Sequence, residues 1–221
     1  MLKSSFKTPP PQEIDRLQPW VEGLAVRLGA PAEGALRFIG IAACSSGDGA
    51  TTVACATAQR IQQSLGKRVL LVDANLGAPR LHTTFDLPQR PGLTELLSGQ
   101  HTLREVVHEI EPEGLCVIPA GAPAADCLAL FENDAFETMK SRVLEYFDTV
   151  IFDCPSLSSD AGTFVIAKKL DGLVMVLAAE RTRWENGTRL IEQLRQSRIN
   201  VLGAVLNRKR QFIPRLIYDH L

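Results

Sequence analysis

Three short polar segments of this sequence could do phosphate chemistry, and each directly follows an apolar run. The first is SSGDGATT, residues 45–52, set between LRFIGIAAC and the alanine-rich VACATAQRIQQSL. Gly47 and Gly49 would let the backbone turn tightly and point N–H groups inward, and a helix starting near Thr51 would add its positive end. Thr51 stands where a Ser or Thr hydroxyl coordinates Mg²⁺, with Asp48, Ala50 and Thr52 completing the loop. The standard phosphate loop reads G-x-x-x-x-G-K-[ST], and its lysine position here holds Ala50. Plain strand-to-helix turns also carry G-x-G, so this segment alone leaves a nucleotide site and a simple turn both open.

The second segment is DANLGAPRLH, residues 73–82, and the third is DCPS, residues 153–156. Asp73 could act as a general base or belong to a metal's shell, and Asp153 could reach a metal through water. Aspartates at such places also cap helices and stabilise turns. Three polar tips on one edge of a sheet favour a phosphate–metal site over coincidence.

Positioning these tips requires strands that end together. Apolar, β-rich runs occur at 36–43, 68–73, 115–119, 149–153, 172–178 and 200–206. Helical segments are predicted between them at about 51–65, 93–98, 102–109, 129–146, 160–169 and 183–197. Most of the strands are continuously apolar rather than alternating, which suits strands covered on both faces. The alternation predicts an α/β fold, doubly wound around a mostly parallel sheet with right-handed crossovers, whose ligands gather at the carboxyl ends of the strands. The segments divide the chain into a lead-in with a docking helix (1–30), a P-loop-like domain (31–207) and a basic, apolar tail (208–221). Within the lead-in, residues 13–30 read as an amphipathic helix broken at Pro19.

Bulk properties narrow the class. The chain has 221 residues, 45% of them hydrophobic and 22% charged, so one domain with a substantial core is expected. A net charge of −1 gives no overall drive toward nucleic acid, and none is expected as a partner. Five cysteines, an odd number without a C-x-x-C pair, point to a reducing cytoplasm. The N-terminal segment lacks the apolar core of a signal peptide, and no apolar run approaches the ~20 residues of a membrane span. The four histidines have no metal-ligand spacing on one helix face.

The segment VLLVDANLGAPRLHTTFDLPQRPGLTELLSGQHTL resembles the Walker A′ region of the bacterial tyrosine kinases of capsule and exopolysaccharide synthesis. There the family reads approximately D-A-D-L-R-x-P-x-L-H, then F-x-L, then P-G-L-x-x-L-L-x-G. Asp73, Leu76, Pro79, Leu81, His82, Phe85, Leu87, Pro91, Gly92, Leu93, Leu96, Leu97 and Gly99 match. Downstream, TVIFDCPS resembles the Walker B line, and VLGAVLN resembles the closing strand, whose final Asn, here Asn207, contacts adenine in the family. The resemblance covers roughly residues 36–207, with the septum-site and partition ATPases as more distant cousins. It implies ATP or ADP with Mg²⁺ as ligands, and Asp73 and Asp153 as catalytic and, with Thr51, metal-holding residues. It also implies a polysaccharide co-polymerase in the inner membrane as partner, a cytoplasmic location beside it, and a homo-oligomer.

The departures fall at chemical positions. Ala50 replaces the lysine, Asn75 replaces the second Asp of D-x-D, and Gly77 and Ala78 replace the basic residues that follow. Glu13 and Arg16 match only the first half of the family's oligomerisation motif. The tyrosine-rich tail is reduced to one phosphoacceptor candidate, Tyr218. Removing a charge-assisted hydrogen bond costs about 1.5–3 kcal/mol, roughly ten- to a hundred-fold in affinity. Losing one donor to a transition state costs about 10²–10³ in rate, and phosphoryl transfer rests almost wholly on such positioning. Nucleotide binding therefore survives these changes more easily than kinase activity. An active autokinase or ATPase with a relocated cation, drawn from Arg80, Lys67 or a neighbouring subunit, is the alternative; a positioning ATPase of the septum-site type is the third. In the tail, Arg208, Lys209, Arg210 and Arg215 lie among Phe212, Ile213, Leu216 and Ile217, a pattern that suits either a membrane or co-polymerase contact or a solvated basic end.

Overall fold

The computed structural model describes Gly23 and residues 36–110, 114–124, 127–132 and 134–208. The expected helix over 13–30 and the tail from Lys209, including Tyr218, lie outside these residues, with Gly23 alone described from the former.

Six strands form where continuous apolar runs predict them: β1 (Phe38–Ala43), β2 (Val69–Asp73), β4 (Leu115–Ile118), β5 (Thr149–Cys154), β6 (Gly172–Ala178) and β7 (Val201–Asn207). A short strand, β3 (His108–Ile110), was not expected; it pairs antiparallel with β4 and closes one edge. The order across the seven-stranded sheet is β3-β4-β2-β5-β1-β6-β7, and every other pairing is parallel. Strands β1, β2 and β5 are buried at every residue, as continuous apolar runs require.

The helices are α1 (Ala50–Leu65), α2 (Leu81–Thr84), α3 (Leu93–Leu97), α4 (Leu103–Val106), α5 (Cys127–Glu132), α6 (Asp134–Val143), α7 (Gly162–Lys168) and α8 (Trp184–Gln196). The helix expected over 102–109 is cut short. Its capping box forms, with Glu105 accepting from the Thr102 N–H at 2.7 Å, but the chain leaves helical geometry at Val107 to pair with β4. The single helix expected over 129–146 is instead the pair α5 and α6.

Alternation along the strands sorts the interior into two cores. Ile39, Ile41, Leu71 and Ile151 face α1, whose Ala54, Cys55 and Ala58 permit close approach to the sheet. Phe38, Leu70, Val72, Val150 and Phe152 face the opposite layer, built from Phe131, Phe136, Met139 and Leu190. The same parity carries Asp73, the last residue of β2, and Asp153, the residue before the end of β5, toward the α1 face. They are direct register partners. Cys44, Cys55 and Cys154 are buried free thiols and Cys116 is half-buried; burial pushes all four upward in pKa.

Candidate nucleotide site

Between β1 and α1 the chain makes a loop held from behind by other parts of the fold. Cys44 N–H donates to the Val176 carbonyl at 2.7 Å, which keeps the chain on the sheet until the loop begins. Asp48 is 1% exposed, and its Oδ2 accepts from the Ser45 N–H at 2.9 Å and from the Thr182 hydroxyl at 3.1 Å. The Thr182 hydroxyl oxygen itself accepts the Ala178 N–H, tying the loop to the end of β6. Asn207, at the end of β7, donates its Nδ2 to the Asp48 carbonyl at 2.9 Å. Gly47 and Gly49 have φ of 85° and 98°, in the left-handed region, and a Cβ on Gly49 would collide with the Asn207 amide.

The result is a ring of spare donors. The N–H groups of Gly47 and Gly49 meet no acceptor among the described residues. The first intrahelical bond of α1 is Val53 N–H to Gly49 O, so Ala50, Thr51 and Thr52 also present unpaired N–H groups at the positive end of a 16-residue helix. Left-handed glycines, inward N–H groups and a helix N-terminus together make a phosphate cradle.

Beneath it lie the two carboxylates, in opposite states of satisfaction. Asp73 is fully buried, yet its Oδ2 accepts the N–H groups of Arg80 and Leu81, both at 2.9 Å, and its Oδ1 accepts that of Asn75 at 3.2 Å. Burial still raises its pKa, against the pull of those three bonds. Asp153 is 1% exposed, and neither of its oxygens meets a donor at hydrogen-bonding geometry. Burial first, then the neighbouring Asp73, holds its carboxyl well above the ordinary range, and the nearby Thr51 hydroxyl offsets a little of this. A buried carboxylate with empty lone pairs beside a threonine hydroxyl fits a hard dication, and Mg²⁺ commonly uses one or two carboxylates with phosphate and water completing its shell. Asp153 and Thr51 would hold it, with Asp73 behind; the ion would supply charge neutralisation to a phosphate. Among the described residues no cluster of three His, Cys, Asp or Glu side chains offers an all-protein metal site.

The cleft above the cradle has a volume of about 400 Å³, and Gly47, Gly49, Ala50 and Thr51 line it on one side and Asn75, Gly77, Ala78 and Arg80 on another. Ala50 contributes both to this lining and to the α1-face core. Thr52 and Asp48 do not line the cleft. Asp48 shapes the loop from within, and Thr52 offers only its backbone. Asn207, expected at adenine, instead spends its amide on the loop carbonyl and its Oδ1 on the Arg208 N–H at 2.8 Å. Lys67, a candidate substitute cation, precedes β2 at the amino end of the strands, opposite the cleft, and does not line it. Arg208, read from sequence as the start of the tail, lines the cleft. Nothing local in the sequence signals this, because the contact spans the chain from β1 to β7.

The P-G-L-x-x-L-L-x-G segment has a structural role of its own. Leu93 and Thr94 N–H groups donate to the Pro119 and Ala120 carbonyls, and the buried Glu95 accepts from Gly92 and Ala122 N–H groups at 2.8 and 3.0 Å. The motif docks α3 on the loop after β4 rather than touching the cleft.

Fold and cradle define a protein of the P-loop-like, doubly wound α/β class. The family profile described as cellulose biosynthesis protein BcsQ matches residues 36–202, and the chain belongs to that family. Tyrosine-protein kinase YwqD of Bacillus subtilis (strain 168) is 28% identical over 175 residues, covering 79% of this chain and 73% of that protein. Tyrosine-protein kinase ptk of Acinetobacter johnsonii is 32% identical over 64% of this chain, which spans about a fifth (19%) of the kinase's own length. Among solved structures, the chimerical protein CapA2B2 superposes with a TM-score of 0.82 at 25% identity, covering 92% of each chain. The resemblance to bacterial tyrosine kinases drawn from the motifs is thereby borne out. No helix among the described residues is long and apolar enough to cross a membrane.

Proposed function

We propose that this chain is a kinase-like, catalytically impaired subunit of capsule or exopolysaccharide synthesis and export, which binds ATP or ADP with Mg²⁺ and acts by docking on a membrane co-polymerase. The carrying observation is a cradle that keeps its backbone donors and the Asp73–Asp153 pair, with alanine at the lysine position. Kinship to tyrosine kinases supports the polysaccharide setting. Residues 1–30 and 208–221 would serve the docking, which would hold the protein at the cytoplasmic face of the inner membrane, alone or as a homo-oligomer. Asn75 in place of a second carboxylate and a single tail tyrosine argue against turnover.

A calorimetric titration tests binding: ATP and ADP should bind no tighter than micromolar, and Ala50→Lys should tighten ATP about ten- to a hundred-fold. A flat titration with both proteins would remove the nucleotide from this reading. Incubation with labelled ATP and Mg²⁺, then mass mapping, should find negligible autophosphorylation; stoichiometric phosphate on Tyr218 would make the chain an active kinase.

A further inference from the structure

The order of strands brackets the cradle between two arginines. The loop follows β1, Arg80 comes seven residues after β2, and Arg208 directly follows β7; in the order β2-β5-β1-β6-β7 the strands preceding the two arginines each lie two from β1, on opposite sides. Two strand spacings are about 10 Å, and both arginines line the same cleft as Gly47, Gly49 and Thr51. A third, Arg181, rests on the loop from outside, its Nη1 3.4 Å from where a Cβ on Gly47 would stand.

Three basic side chains elsewhere among the described residues are spent on acids. Arg68 pairs with Asp148 at 2.8 Å, and Lys140 and Lys169 share Glu137. Arg80 and Arg208 have no acidic partner among the described residues. Asp160, the acid that shares their cleft, gives its Oδ1 to the Gly162 N–H at 2.7 Å.

Both cations are anchored through their own backbones to the machinery of the site. Asp73 accepts the Arg80 N–H. Asn207 accepts the Arg208 N–H with one end of its amide and holds the loop's Asp48 carbonyl with the other. Arg208 has φ of 59°, which turns the chain sharply as β7 ends. One side chain therefore sets Arg208 relative to the cradle. Guanidinium stays charged at any working pH and binds phosphate oxygens through a planar fork.

We propose that Arg80 and Arg208, clamping from opposite walls, supply the polyphosphate-neutralising charge that Ala50 does not, so that the cleft selects nucleotides by the charge of their phosphate chain. This rests on nucleotide binding at the loop, and the test separates the two. Titrations of ATP, ADP and AMP compare the natural chain with Arg80→Ala, Arg208→Asn and the double variant; Asn is chosen because it tolerates the left-handed backbone that Ala resists. Each single change should weaken ATP about ten- to a hundred-fold and leave AMP nearly unaffected. The lysine versions, Arg80→Lys and Arg208→Lys, should recover part of the loss, and Ala50→Lys should rescue the double variant. A folded double variant that binds ATP as tightly as the natural chain overturns the clamp while leaving the nucleotide site in place. Equal losses for ATP and AMP also overturn it, because the arginines would then hold base or ribose. Failure of the natural chain to bind any nucleotide overturns both the clamp and the site.

Discussion

Asp73 and Asp153 sit side by side in register, and their neutral analogues should shift stability in opposite directions. Asp153 has a folded pKa raised by burial and by Asp73, so its ionised form opposes folding. A carboxyl of this kind costs nothing below its unfolded pKa of about 3.9; above that, stability falls as pH rises until the folded pKa is passed. Asp153→Asn should therefore raise Tm at pH 7, with the gain shrinking toward pH 4, while abolishing any stabilisation by Mg²⁺ and nucleotide. Burial raises the Asp73 pKa too, but Asp73 is held by three backbone donors, and the loss from an asparagine there, which would turn an NH₂ toward at least one of them, outweighs the relief of its charge. Asp73→Asn should cost about 1–3 kcal/mol, the penalty of a buried unsatisfied group. Thermal melts of both variants across pH decide the matter; a loss of stability in Asp153→Asn at pH 7 would refute the unsatisfied carboxylate.

At the scale of elements, the docking of α3 rests on Gly92, where a Cβ would run into the Pro119 carbonyl and the Gly121 backbone. These are main-chain atoms with little room to yield, so Gly92→Ala should destabilise by about 1–3 kcal/mol; denaturant unfolding with an unchanged midpoint would contradict the contact. Elements were legible where a single local signal ruled. Six strands are continuous apolar runs, and α1 opens on a glycine turn and closes at Gly66. Long-range partners hid the rest. The capping box of α4 is a true helix start, yet residues 108–110 answer to β4. The four-residue α2 begins because Asp73 accepts the N–H groups of Arg80 and Leu81, seven and eight residues onward. The site divided in the same way: the glycines and both aspartates announce themselves by type and place. Asp48 as the loop's buried brace, Asn207 as its tether and Arg208 on the cleft wall depend on contacts made only when the sheet is assembled.

For the whole molecule, the interior position of β1, between β5 and β6, puts the cradle within reach of the strands beyond it. The loop is tied to the end of β6 through Thr182 and to the end of β7 through Asn207. Combining Thr182→Val with Asn207→Ala should speed amide exchange at Ser45 and Asp48, the loop N–H groups that are hydrogen-bonded, while leaving the sheet's protected core unchanged, since strands β1, β2 and β5 are buried throughout. Uniform loss of protection would mean instead that these ties stabilise the fold globally.

Those ties carry a consequence for signalling. A switch needs two shapes, and a ligand moves a protein between them only by binding one better than the other. Here the loop is held in its receptive shape by a buried carboxylate and an amide belonging to the protein itself. Arrival of a phosphate would then fill the cradle without reshaping it, and a partner touching the surrounding surface would find nearly the same contour in either state. If it docks as proposed, such a chain would report its own presence rather than the cell's ATP, and its affinity for a docking partner should stay constant as nucleotide is added or withdrawn.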